Sequence, residues 1–293
     1  MHSGPVTADY QDIGAAPARA EVATQPGAAT GTWTSHCGRD EHGRHRNVDN
    51  VVLQPGKVGG AHHTHEYVGN TSTDALSTDA SLAAASTTCD RGDLSTYFWP
   101  VVRLVNERGP DADAVGGGRD GNHGQVVVPD SVLVRYEGNA VTNVVAMPRF
   151  LRSVTGNPTA ASDDGKGTEH LMWTCSNDRD RVSRHYPRCR EGGQVVRVLK
   201  FPSCWDGRRT DSKDHRAHLV FPDAGGACPA DTFPVPRLHV ELSYALAPNA
   251  PYAVDSFPSE GRSPITDHAL FIGVMPDALM AEVVDCVNQG RTC

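Results

Sequence analysis

Eight cysteines constrain this chain more than any other feature: Cys37, Cys89, Cys175, Cys189, Cys204, Cys228, Cys286 and Cys293. Their number is even and none forms a C-x-x-C pair, which argues against a zinc ribbon or a thioredoxin-type redox motif. Scattered cysteines in an even count read as four disulfides, and disulfides persist in an oxidising compartment. Local spacing favours Cys175–Cys189, Cys204–Cys228 and Cys286–Cys293, leaving Cys37–Cys89, one of the roughly hundred connectivities eight cysteines allow. The chain therefore reads as secreted. Residues 1–30 show no charged start followed by an apolar block, so the expectation is a mature chain whose export signal has been removed.

The 29 glycines and 20 prolines punctuate the 293 residues too often for a helical protein and suit a loop-rich β fold. Strand-like runs are short: Tyr97 to Val105, Gln125 to Tyr136, Val195 to Phe201, His218 to Phe221 and Leu238 to Leu246. In the last, Leu238, Val240, Leu242 and Tyr244 alternate with His239, Glu241 and Ser243, the period of a strand with one buried face. Only Pro276 to Val287 looks helical, with Pro at a first-turn position and Leu279, Val283 and Cys286 at spacings of four and three. The expected class is mainly β, a β-sandwich or jelly roll with long loops and a C-terminal helix. Residues 1–31, poor in large apolar side chains, are expected to form a flexible leader, and 32–293 a single disulfide-bonded domain.

Charge narrows the partners. With 27 basic and 35 acidic residues the net charge is −8, which disfavours a nucleic-acid binder. No 18-residue apolar run offers a membrane span. The chain is read as a monomer.

Fourteen histidines carry the chemical signal. Three fall within Ala61-His62-His63-Thr64-His65-Glu66. If this stretch is extended, His63 and His65 share one face and His62 points the other way. A second group is Asp211-Ser212-Lys213-Asp214-His215-Arg216-Ala217-His218, and a third is Asp267-His268 at the head of an apolar run. Neutral imidazoles bind zinc or copper, and three with an open position make a Lewis-acid or redox site. The bland reading, hydrogen-bonded turn histidines, suits a lone histidine better than three groups each beside a strand edge and an acid. Metal is not compulsory, because histidine oriented by an aspartate is also an acid or base near neutral pH.

The run Phe201-Pro202-Ser203-Cys204-Trp205-Asp206-Gly207, followed by Asp211-Ser212, Asp214-His215 and His218, then Cys228-Pro229, resembles the secreted fungal and actinobacterial family known as domain of unknown function 1996. Its S-x-H-x-H element is similar to Ala61 through His65, its Y-W-x-P element to Phe98-Trp99-Pro100, and its H-A-D-F element to His268-Ala269-Leu270-Phe271. The resemblance covers about residues 33–287 and carries over His63, His65, Trp205, Asp206, Asp214, His215, His218 and His268. Two positions depart from it: Ala61 stands for a serine and Leu270 for an aspartate, which removes a carboxylate there. The resemblance implies a secreted, disulfide-bonded domain, sometimes joined to carbohydrate-binding or cell-wall modules, and no particular reaction.

The resulting expectation is a secreted enzyme acting on a polysaccharide or cell-wall polymer through a zinc or copper ion, with no organic cofactor. His63, His65 and His268 would be metal ligands, with His215 or His218 completing the set. His215, His218, Asp214 and Asp206 are the candidate catalytic groups, Asp214 by orienting a histidine. Trp205, Tyr97 and Trp99 are candidate sugar-stacking faces. Asp206, Asp211 and Asp214 could also supply a glycosidase's two carboxylates. The alternatives are a metal-free His/Asp hydrolase or lyase, and a non-catalytic wall-binding module.

Overall fold

The computed structural model describes residues 4–20 and 22–293. Two five-stranded antiparallel sheets position everything else. The first runs, in spatial order, Leu171–Cys175, Val195–Lys200, Arg237–Tyr244, Ser131–Glu137 and Thr32–Ser35. The second runs Arg46–Asn47, His65–Gly69, Thr96–Pro100, His268–Ile272 and Arg152–Gly156. A small third sheet sets Cys204–Trp205 between Leu219–Val220 and Phe233–Pro234. The mainly β expectation holds, and the helix spans Asp277–Asn288.

Strand alternation decides which side chains meet. Leu238, Val240, Leu242 and Tyr244 are all buried in the core between the two sheets. They pack there with Trp33, Tyr136, Trp173 and Leu199 of the first sheet and Tyr97, Trp99 and Phe271 of the second. The other face of the second sheet is also covered. Tyr67, Phe98, Val154, Leu270 and Ile272 form a separate cluster closed by Val51, Val52 and Leu82 from the intervening loops. Leu270, where the family pattern has an aspartate, fills this apolar layer.

The four disulfides pair as the spacing favoured: Cys37–Cys89, Cys175–Cys189, Cys204–Cys228 and Cys286–Cys293. The last ties the helix to the chain end, whose Cys293 N–H bonds back to Thr32 O at 2.9 Å. The expected flexible leader is corrected for part of its length. Tyr10–Asp12 pairs in parallel with Tyr186–Arg188, and Ile13 and Ala16 are buried beside Cys175. A few anchoring side chains suffice to dock a segment on a surface already formed, which a composition average conceals. Residues 1–3 and 21 of that segment lie outside the described residues.

One cation joins the sheets. Arg197, on a strand of the first, is fully buried, and its Nε donates to Asp267 Oδ2 at 3.0 Å just before the His268–Ile272 strand of the second. Its Nη1 donates to Pro100 O at 2.9 Å and to Tyr244 Oη at 3.2 Å. Removing one member of such a pair strands the other charge in the core, at a cost of about 3–5 kcal/mol. Arg197→Met is therefore expected to lower unfolding stability by about that amount, read from the urea midpoint at unchanged slope.

Candidate metal centre

His63, His65 and His268 converge on the outer face of the second sheet. His65 opens the His65–Gly69 strand and His268 opens the His268–Ile272 strand, with Thr96–Pro100 lying between them. His63 precedes its strand by two residues, and the expected alternation survives: His63 and His65 are buried while His62 is exposed. Gly156 makes the far edge possible. It pairs with His268 at φ +78°, and a Cβ there would lie 2.2 Å from Asp267 O.

The three Nε2 atoms form a nearly equilateral triangle: 3.1 Å from His63 to His65, and 3.2 Å from His268 to each. Backbone carbonyls decide what these atoms present. His65 Nδ1 lies 2.7 Å from Asp49 O and His268 Nδ1 lies 2.9 Å from Thr266 O. A carbonyl only accepts, so both Nδ1 atoms carry the proton and both neutral rings turn a bare Nε2 lone pair inward. His63 Nδ1 has no well-formed partner among the described residues, although Ala61 O lies near enough to favour a proton there.

Electrostatics keep the rings neutral. Burial, then the facing His268, pulls the His65 pKa down to about 3. Burial lowers His268 to about 4, and burial together with His65 and His268 holds His63 well below the usual imidazole range. The bare Nε2 lone pairs of His65 and His268 repel unless a proton or a cation lies between them and His63. Ligand bonds of about 2.0–2.1 Å at roughly tetrahedral angles would set the nitrogens a little over 3 Å apart, so the set fits a zinc- or copper-sized ion. It is a group that can hold a metal ion.

Buried charges outside the triangle hold these segments. Arg103 Nε donates to Asp255 Oδ1 at 2.7 Å, both side chains fully buried, and Asp255 Oδ2 accepts from Thr64 N, between the two ligands, at 3.3 Å. Arg197 holds Asp267 beside His268.

The family model described as Domain of unknown function (DUF1996) matches residues 49–266. The chain belongs to that family. No curated protein and no solved structure matches it. The DUF1996 match spans two of the three imidazoles, and His268 lies just past its end.

The other expected site residues separate from the triangle. His218 is buried, with Nε2 on Arg152 O at 2.7 Å and Nδ1 on Ser212 Oγ at 2.9 Å. Arg152 and Gly156 end a strand about 13 Å long, and His268 pairs with Gly156, so His218 is no fourth ligand. Asp214 accepts from Ser212 Oγ and from the backbone N–H groups of Arg216 and Ala217, and these bonds hold its carboxyl well below the usual carboxylate range. It builds the turn and reaches His218 only through Ser212. Asp206 likewise accepts from Arg208 and Arg209 backbone N–H groups and the Arg209 side chain.

Tyr97 and Trp99 cannot offer faces to sugar, because both are buried between the sheets, with Tyr97 Oη bonded to Asp93 and Tyr136. Alternation puts them inward, where the apolar run alone leaves both faces open. Trp205 is half-buried and donates Nε1 to Arg209 O at 2.7 Å. His215 remains partly open, its Nδ1 3.0 Å from Asp211 Oδ1, on a loop whose Arg216 donates to Gly156 O at 2.6 Å. That loop thus anchors on the strand neighbouring His268. The residues that sequence reasoning missed act through main-chain carbonyls or buried ion pairs: Asp49, Thr266, Asp255 and Arg103. Carbonyls leave no residue-type signal, and Phe257, edge-on to His63 at 5.2 Å, leaves none beyond its apolarity.

Imidazoles held neutral by burial bind protons less readily folded than unfolded, where their pKa is about 6.5. The unfolded chain then carries more protons, so stability falls as pH drops from about 6.5 towards 4. Chelator-treated protein is expected to show this decline in its melting temperature across that window, and His268→Leu to flatten it.

Proposed function

We propose that His63, His65 and His268 hold a zinc or copper ion, and that the protein is an extracellular enzyme using it on a polysaccharide or cell-wall polymer. The observation that carries the metal is the pair of carbonyl-fixed tautomers, which leave Nε2 lone pairs converging at 3.1–3.2 Å. Such an ion supplies Lewis acidity if zinc and redox chemistry if copper. The chain's own residues do the rest. Asp49 and Thr266 carbonyls orient the ligands from behind, as outer-sphere partners do in metal sites. Asp211 holds His215 by Nδ1, leaving Nε2 to take or give a proton at the rim of the loop beside the Arg152–Gly156 strand.

Four disulfides and, among the described residues, no helix long and apolar enough to cross a membrane support the extracellular reading. The polysaccharide substrate rests on the carbohydrate modules to which the family resemblance points. A second reading has its own observation: all three imidazoles are at most 1% exposed and Phe257 covers His63, as in a structural site. The third, an acid–base enzyme without metal, would leave His215 and Asp211 as the working pair.

Metal analysis of protein purified without an affinity tag separates these. About one zinc or copper ion per chain is expected, lost in His65→Ala and after chelation. His215→Gln should keep the metal and lower polysaccharide turnover at least tenfold. Metal retained with turnover absent on all polymers tested would leave the structural reading, and no uptake on reloading would retire the metal.

A further inference from the structure

A groove of about 650 Å³ lies on the outward face of the first sheet, separated from the histidine centre by both sheets. Its floor is the Arg237–Tyr244 and Ser131–Glu137 strands and the end of Val195–Lys200. Four cationic side chains line it, in a protein whose net charge is −8.

Two of the four are already matched. Glu137 accepts from Arg135 Nη2 at 2.6 Å, from Arg237 Nη2 at 2.7 Å and from His239 Nδ1 at 2.7 Å, which saturates its two oxygens. Glu241 is engaged in turn by His239 and Arg179. The other two are not matched. Arg19 Nε and Nη2 are buried without a hydrogen-bond partner among the described residues. Lys200, half-buried at its strand end, makes no ion pair among the described residues. Burial and the Arg237 and Arg19 charges push its ammonium pKa down, against the opposing pull of Glu137 and Glu241. Glu169 sits exposed at the rim and pairs with neither, and Asp223 is occupied by its own turn, accepting from Gly225 and Ala227 N–H groups.

A guanidinium with buried, unbonded N–H groups beside a half-buried ammonium is costly, so a groove lined by both favours an anion between them. One wall of the groove is flat and aromatic: the rings of His170 and Phe221 stack at 3.5 Å with 13° between their planes. A sugar ring packs against such a wall while a carboxylate on it reaches a guanidinium and an ammonium together. We infer that this groove is a binding subsite for a carboxylate-bearing sugar, a uronate residue of an acidic glycan, held by Arg19 and Lys200 against the His170–Phe221 wall. The inference stands apart from the metal reading, since no residue of the groove belongs to the histidine centre.

Calorimetric titration of the full chain with a galacturonate oligomer tests it, against a neutral glucose oligomer of equal length and inorganic phosphate. The expected result is binding of the uronate oligomer alone, weakened by added salt and at least tenfold by Arg19→Gln with Lys200→Gln, and kept by Lys200→Arg. Should the double variant fail to fold, Lys200→Met alone is expected to weaken binding severalfold. Phosphate bound as tightly as the uronate would overturn the sugar assignment. No binding, or binding indifferent to the substitutions, would overturn the site. Chelator-treated protein should bind the oligomer undiminished, and loss on chelation would place the ligand at the histidines instead. Glu21→Gln should leave affinity unchanged, whereas tighter binding would show that the chain's own carboxylate fills the groove and would overturn the proposal.

Discussion

The buried Arg197–Asp267 pair is the joint on which the rest of this structure depends. Arg197 belongs to one sheet and Asp267, with the Pro100 carbonyl, to the other, so a single guanidinium fixes the sheets relative to each other. Apolar packing between Trp173, Tyr136, Trp99 and Phe271 supplies the larger part of the stabilisation, but it is non-directional. A planar fork has one geometry, and it leaves Asp267 immediately before His268. Register across the sandwich and the position of one imidazole are therefore set together.

The same device recurs one layer further out. Arg103 and Asp255 form a second buried pair, in which Asp255 Oδ2 accepts both from Arg103 Nη2 and from the Thr64 N–H between His63 and His65. The histidine triangle thus rests on two fully desolvated ion pairs and two carbonyl acceptors, none with freedom to reorient. Its three neutral rings face each other at distances that suit a cation between them. A rigid frame of this kind holds the three nitrogens in place, as a functional site requires of its supporting residues.

Much of this was legible in the residues. Alternation over Leu238 to Tyr244 marked a strand, although His239 and Glu241 on its other face are buried too, and the pattern at Leu279, Val283 and Cys286 marked the helix, because side-chain periodicity is a local property. Three cysteine pairs were favoured by short separations with Cys37–Cys89 as the remainder, and His63 with His65 followed from the x-H-x-H spacing. The docked segment at Tyr10 and Ile13 was not legible, since a composition average over thirty-one residues hides three anchoring side chains. The D-S-x-D-H-x-x-H motif was read as chemistry, yet His218 and Asp214 mostly build the turn that carries His215 and Arg216. Polar residues at regular spacing look alike whether they catalyse or cap.

Residue order alone points to the β class, to four disulfides and to which side chains can act as ligands, because each depends on neighbours along the chain or on composition. Which ligands meet was decided by strand pairing across more than two hundred residues, where His268 comes to lie beside His63 and His65. Which ring nitrogen is bare was decided by two main-chain carbonyls that no residue type announces. Tyr97 and Trp99 became core, not surface, because both faces of their strand are covered, which only the packed sheets decide.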